Sequence, residues 1–285
     1  MNAKKVFLFC LGALLAGGLS LAAPAADEAA SVWTSDSPKI DGQLDDWANA
    51  AWSREKGLGV EYAFRNNDQN LYLVLVFKNP KFLSTISQTG IVLYFSPEGK
   101  KDKSRGIRFI QRAITAEELV AVMEKDGKTL TDERKQQLRA KANYMLYDSS
   151  MVDDEDKVLG PAVGSGDSLP PVFRLGRSGS DTVYEFRVPL FKSGEHPGGI
   201  GVVPGQSLKA GFYWGGMTKE MREAQISRLS SQGVKAGQGS KDVGGDTTEG
   251  YEEASPRSAS LEAVLRGPKR HGFWADIVLA TAEVK

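Results

Sequence analysis

Cysteine is almost missing from this 285-residue chain: Cys10 is the single one. It lies in an apolar N-terminal stretch, so everything after it can form no disulfide, thiolate metal site, cysteine nucleophile or C-x-x-C-H haem attachment. Histidine is nearly as scarce. His196 sits in His196-Pro197-Gly198-Gly199 and His271 in Lys269-Arg270-His271-Gly272, contexts that read as loops. No G-x-S-x-G, H-E-x-x-H or phosphate-cradling glycine loop is present, so acid–base and nucleophilic chemistry lack their usual carriers. The chain therefore reads as a non-enzyme. An excess of one charge is missing too, with Lys+Arg and Asp+Glu at 36 each. That balance favours neither nucleic acid nor an anionic membrane surface, both of which select basic proteins.

What is present begins with a leader. Lys4 and Lys5 precede an uninterrupted apolar run from Val6 to Leu15, and Ala23-Pro24-Ala25 supplies a small-x-small cleavage pattern before Asp27 and Glu28. Charge, apolar core and small residues in that order form an export signal over residues 1–25. The run is short against the roughly 20 residues of a membrane span, so the expected product is periplasmic or secreted, with no transmembrane segment after cleavage. Leu8-Phe9 before Cys10 does not match the small residues of a lipoprotein signal. Without cross-links, the fold depends on its core, for which a hydrophobic content of 41% is sufficient.

Strand patterns dominate residues 26–285, which read as a single domain. Gly59 to Arg65 alternates, with Val60, Tyr62 and Phe64 on one face. Leu71 to Phe77 is apolar on both faces and predicts a central buried strand. Ile91 to Phe95 and Ile107 to Arg112 follow as further strands. Thr115 with Glu118 makes a capping box, and Thr131 can cap a second helix carrying Leu138, Ala142 and Met145 on one face, so a helical insertion is expected over about 115–146. Strands resume at Thr182 to Leu190, with Tyr184, Phe186, Val188 and Leu190 inward and Glu185 and Arg187 outward. Leu208 to Trp214 puts Leu208, Ala210, Phe212 and Trp214 on one side and Tyr213 on the other. Lys219 to Leu229 reads as a short helix, and about 230–260, rich in Gly, Ser and charge, as a mobile loop. A last strand spans Phe273 to Ala280, with Trp274 pointing away from the core side. Short strands separated by turn residues predict a mainly β sandwich or barrel.

The stretch Ile40-Asp41-Gly42-Gln43-Leu44-Asp45-Asp46-Trp47, with Ala50 and Trp52 after it, resembles the opening of family 9 carbohydrate-binding modules. Three further pieces resemble later strands of the same family: Asp68-x-Asn70-Leu71-Tyr72-Leu73, Ile91 to Phe95, and Tyr184 to Leu190. In the last of these the acid directly follows the tyrosine, a departure from the family pattern. The resemblance covers about residues 38–280 and implies an antiparallel β-sandwich, a fold shared with DOMON domains and with haem-binding subunits of some molybdenum dehydrogenases. It implies a non-catalytic module that binds carbohydrate or, alternatively, a b-type haem. Read physically, Asp41-Gly42 suits a tight turn, Asp45 or Asp46 can cap the turn that follows, and Trp47 is expected to plug one end of the sandwich.

Sugar recognition needs flat rings flanked by planar polar groups. Tyr213, Trp274, Glu185 and Arg187, if gathered on one outer face, would make such a platform; if the helices cover that face, they are packing residues. For haem, Met217 and Lys219 are the candidate axial ligands, as in the dehydrogenase relatives, with His196 and His271 behind them. Asp153-Asp154-Glu155-Asp156 lacks the order of a calcium loop and reads as a solvated acidic turn. Lys100 to Arg105 reads as an exposed hairpin tip. A third function class is an envelope interaction domain without a small ligand, its surface built on the helical insertion and the 230–260 loop.

Overall fold

The computed structural model describes residues 28–97, 99–125, 127–162, 170–194, 197–231 and 268–282. The expected leader, Cys10, His196 and nearly all of the 230–260 loop lie outside them. In chain order the described strands are β1 (Glu28–Trp33), β2 (Ser53–Glu55), β3 (Val60–Asn66), β4 (Asn70–Phe77), β5 (Ile91–Ser96) and β6 (Gly106–Thr115). There follow β7 (Asn143–Val152), β8 (Val158–Pro161), β9 (Val172–Ser178), β10 (Asp181–Pro189), β11 (Ser207–Trp214) and β12 (His271–Val278). The helices are α1 (Leu83–Thr89), α2 (Ala116–Lys125), α3 (Asp132–Arg139) and α4 (Lys219–Ser231). The chain is mainly β, as expected.

Two sheets stack. The first runs β8-β7-β6-β5-β11-β12 and the second β3-β4-β10-β9, with β2 alongside β3. All these pairings are antiparallel, but β1 departs from the antiparallel expectation. Its first half runs parallel to β12 and its second half parallel to β3, so one strand belongs to both sheets. Asn66, fully buried, fixes that switch: its amide accepts from Ser31 Oγ and from the Ala280 N–H and donates to the Ala280 carbonyl. One seam of the sandwich is thus sewn by backbone.

The core between the layers is aromatic. Phe64 meets Phe212 at 6.2 Å, Tyr62 meets Phe273 at 5.3 Å and Phe109 meets Phe186 at 5.0 Å, each pair spanning the two sheets. Strand parity places the inward sets as expected: Tyr184, Phe186 and Val188 from β10 with Leu190 just after it, and Leu208, Ala210, Phe212 and Trp214 from β11. Every residue of β4 is buried, which follows from its apolar sequence on both faces.

The helical insertion is shorter than expected. The capping box forms, with the Thr115 N–H on Glu118 Oε2 at 2.7 Å, and Thr131 Oγ1 accepts from the Arg134 N–H at 3.3 Å. However, α3 ends at Arg139, and residues 143–152 continue as β7, paired along the whole of β6. The helical reading of Leu138, Ala142 and Met145 fails because β6 offers ten residues of unpaired edge, and a ladder satisfies more backbone groups than one further helical turn. Helices α2 and α3 pack on each other, and α2 packs on β6 and β7.

Candidate functional site

The four residues expected to share a platform lie on opposite outer faces. Glu185 and Arg187 belong to β10 in the second sheet, and Tyr213 and Trp274 to β11 and β12 in the first. Outward parity was right for each strand, but the sheet that each strand joins is a long-range choice that parity does not carry.

The outer face of the second sheet is sealed. Residues 40–50 lie across it, and Trp47, wholly buried, packs there with Ala63, Tyr72, Val74, Val76 and Val183. Trp47 therefore caps a sheet face rather than an end of the sandwich. Glu185 is buried beneath this segment and ties it down. Its carboxylate accepts the Trp47 indole N–H at 2.5 Å and the backbone N–H groups of Gly42 at 2.5 Å and Asp41 at 2.9 Å. Burial pushes this carboxyl above its ordinary range, against the opposing pull of the three donors. Glu185 is thus committed to holding the opening motif and is not free for a ligand.

Gly42 adopts φ +84°, and a Cβ there would lie 2.5 Å from the Gly176 nitrogen on β9. The motif glycine therefore permits both the turn and a backbone-to-backbone crossing. Asp41 closes the expected local bond, accepting the Gln43 N–H at 3.0 Å. Neither Asp45 nor Asp46 caps the short turn; Asp46 instead accepts the Lys39 N–H at 2.8 Å. Arg187 is half-buried, donating to the Pro170 carbonyl at 3.4 Å.

The outer face of the first sheet is built differently. Three aromatic residues there each stand across from a glycine: Tyr94 from Gly106, Trp274 from Gly211 and Tyr213 from Gly272. A Cβ on Gly106, Gly211 or Gly272 would fall 2.7, 2.9 or 2.3 Å from the ring concerned. The missing side chains let the rings settle onto the sheet. Trp274 donates its indole N–H to Tyr213 Oη at 2.6 Å. Tyr94 is fully buried between its neighbours, while Tyr213 and Trp274 stay partly exposed. No described residue of α2 or α3 packs on this cluster.

Charged groups frame the rings. Asp276 and Lys209 pair on one side. On the other, Arg270 pairs with Asp156 at 2.8 Å and donates to Tyr94 Oη at 3.3 Å, and its guanidinium lies 5.5 Å from the Tyr213 ring. Lys103 stands 4.0 Å over the same ring. Asp156 is largely buried with φ +64°, so the acidic run is not the wholly solvated turn expected. Burial pushes its carboxyl up, and Arg270 restrains the rise. Tyr94, Asp156, Arg270 and the three glycines were missed from the sequence, although parity within Ile91 to Phe95 could have shown Tyr94 facing outward.

For haem, Met217 is half-buried after β11, and the side chain of Lys219 is outside the description. His271 stacks on Trp214 and meets Phe82 edge-on at 4.8 Å, and burial lowers its pKa. Neither Met217 nor His271 is among the described residues that line the cavity of about 520 Å³ beside α1.

No family model matches the chain, and no curated protein matches it. Among solved structures it is similar to a family 9 carbohydrate-binding module from Caldicellulosiruptor kristjanssonii in complex with glucose. The identity is 13%, the match covers 68% of this chain and 81% of that one, and the TM-score is 0.32. The same module in complex with cellotriose matches at 13% identity over 68% and 79%, with a TM-score of 0.33.

Proposed function

We propose that this chain is an exported, non-catalytic carbohydrate-binding module whose site is the outer face of the first sheet. The observation that carries the reading is the seating of Tyr213 and Trp274 over Gly272 and Gly211, which leaves ring surface partly exposed beside paired charges. A flat ring supports the apolar face of a pyranose, and planar carboxylate and guanidinium groups at its edge meet the hydroxyls. Tyr213 and Trp274 keep their expected role, and Arg270 and Asp276 replace Arg187 and Glu185 as polar partners. Export rests on the sequence of residues 1–25, and the absence of catalysis on the lack of nucleophile and acid–base motifs.

A glycan array followed by affinity electrophoresis in gels containing the best soluble glycan tests this reading. Retardation is expected to vanish in Trp274→Ala and to weaken about tenfold in Tyr213→Ala, as loss of a stacking ring implies. Retardation that persists when both rings are removed abolishes the proposed site. A Soret band in protein purified from haem-replete cells would instead establish the haem-binding alternative.

A further inference from the structure

At the seam opposite β1 no described strand pairs with both sheets, and there the sandwich stays open. Between the β9 edge of the second sheet, β6 of the first and helix α1 lies a cleft of about 520 Å³. That volume falls within the roughly 300–1,000 Å³ of sites that bury small molecules. Its interior wall is apolar: Leu83 and Ile86 from α1, Phe109 from β6, Phe173 and Leu175 from β9 and Tyr184 from β10. The rings pack against one another, Phe109 with Phe173 at 5.5 Å and Phe173 stacked on Phe186 at 5.9 Å, so the floor is fixed. The β9 wall is fixed from behind, since Gly176 lies hard against the Gly42 backbone.

Polar groups from Ser84, Ser87, Gln111, Arg177 and Thr182 complete the lining. Among the described residues of the lining Arg177 is the only charged one and none is a carboxylate; Ser84, Ser87, Gln111 and Thr182 are neutral. Burial holds the Tyr184 phenol protonated, so the lining also carries a hydroxyl donor. An apolar wall edged by neutral polar groups and one cation has the polarity of an amphipathic anion's site.

We propose that this cleft binds a small amphipathic carboxylate, with its apolar body between α1 and the Phe109–Phe173 floor and its carboxylate toward Arg177. The site is separate from the ring platform and from the sugar it would hold.

Calorimetric titration of the full chain with decanoate, decanol and decyltrimethylammonium, each below its micellar concentration, tests the proposal. Decanoate is expected to bind best and decyltrimethylammonium worst. Arg177→Gln should weaken decanoate about fivefold and leave decanol unchanged, the scale of one exposed charge-assisted contact. Ser87→Trp, at an exposed position of α1, and Gln111→Trp, at a half-buried position of β6, should abolish decanoate binding while leaving the thermal melt intact. Either variant suffices if the other fails to fold. Absence of heat with all three probes, equal binding of decanoate and decyltrimethylammonium, or binding unchanged in both tryptophan variants overturns the proposal. A dimer seen by light scattering that Ser87→Trp dissolves, without decanoate binding, would assign the cleft to a second copy and overturn it as well.

Discussion

Two tryptophans on opposite outer faces of one sandwich make the same kind of bond and meet different ends. The Trp47 indole donates to a buried carboxylate, Glu185, and is shut from water by its own segment. The Trp274 indole donates to a neighbouring phenol, Tyr213, and both rings keep part of their surface in solvent. The difference lies in what the chain places on top. Residues 40–50 cover the second sheet, while on the first sheet the described groups are side chains of the sheet and its loops. A polar group sealed in must be satisfied inside the protein, whereas one at an open surface can exchange water for a ligand. Stability is thereby concentrated on one face and recognition is possible on the other.

Glu185→Ala should break this contrast most severely. It strands three N–H donors under the sealed segment, and a loss of about 3–5 kcal/mol in urea unfolding is expected, as for breaking a buried charged network. Trp274→Ala, by comparison, should cost only about 1 kcal/mol because its ring is partly exposed before truncation. Comparable losses for the two variants would mean that the faces are not differentiated as described.

Alanine substitutions of two glycines sharpen the comparison at intermediate scale. Gly42→Ala forces a side chain into φ +84° and against the Gly176 backbone, with an expected cost of about 2–3 kcal/mol. Gly211→Ala meets only the edge of the Trp274 ring, which can lift toward solvent. It should cost about 1 kcal/mol or less while reducing glycan retardation and shifting indole emission. Retardation unaffected by Gly211→Ala would show that ring seating does not matter for binding.

The smallest expected effect is on pH dependence. Burial raises the carboxyls of Glu185 and Asp156, so the folded chain holds their protons more tightly than the unfolded chain does. Between the unfolded value, 4.5 for Glu185, and the raised folded value, the contribution of Glu185 to stability must therefore fall as pH rises. The urea midpoint of wild type relative to Glu185→Gln should decline as pH rises across that interval. A midpoint that climbs with pH in the wild type and not in the variant would show the carboxylate to be stabilised by its three donors more than burial disfavours it.

Much of the fold was legible in short stretches. The continuous apolar run of β4 announced a strand covered on both faces, and the alternation of β10, β11 and β12 assigned inward and outward residues correctly. Capping residues located the starts of α2 and α3 because a cap is a contact over three residues. What failed was longer in range. Residues 143–146 looked helical until β6 supplied an edge to pair with. Glu185 looked like an exposed acid on an alternating strand, and only the return of the opening motif across 143 positions makes it a buried anchor.

The sequence by itself determined the strands β3 to β6 and β10 to β12, the apolar side of the alternating ones, and the turn at Asp41-Gly42, because these depend on neighbours within a few positions. Only the tertiary structure decided which sheet each strand joins, which outer face is covered, and where the seam stays open. Those outcomes come from contacts between segments far apart in the chain, where burial and backbone pairing are settled by competition among surfaces rather than by local preference.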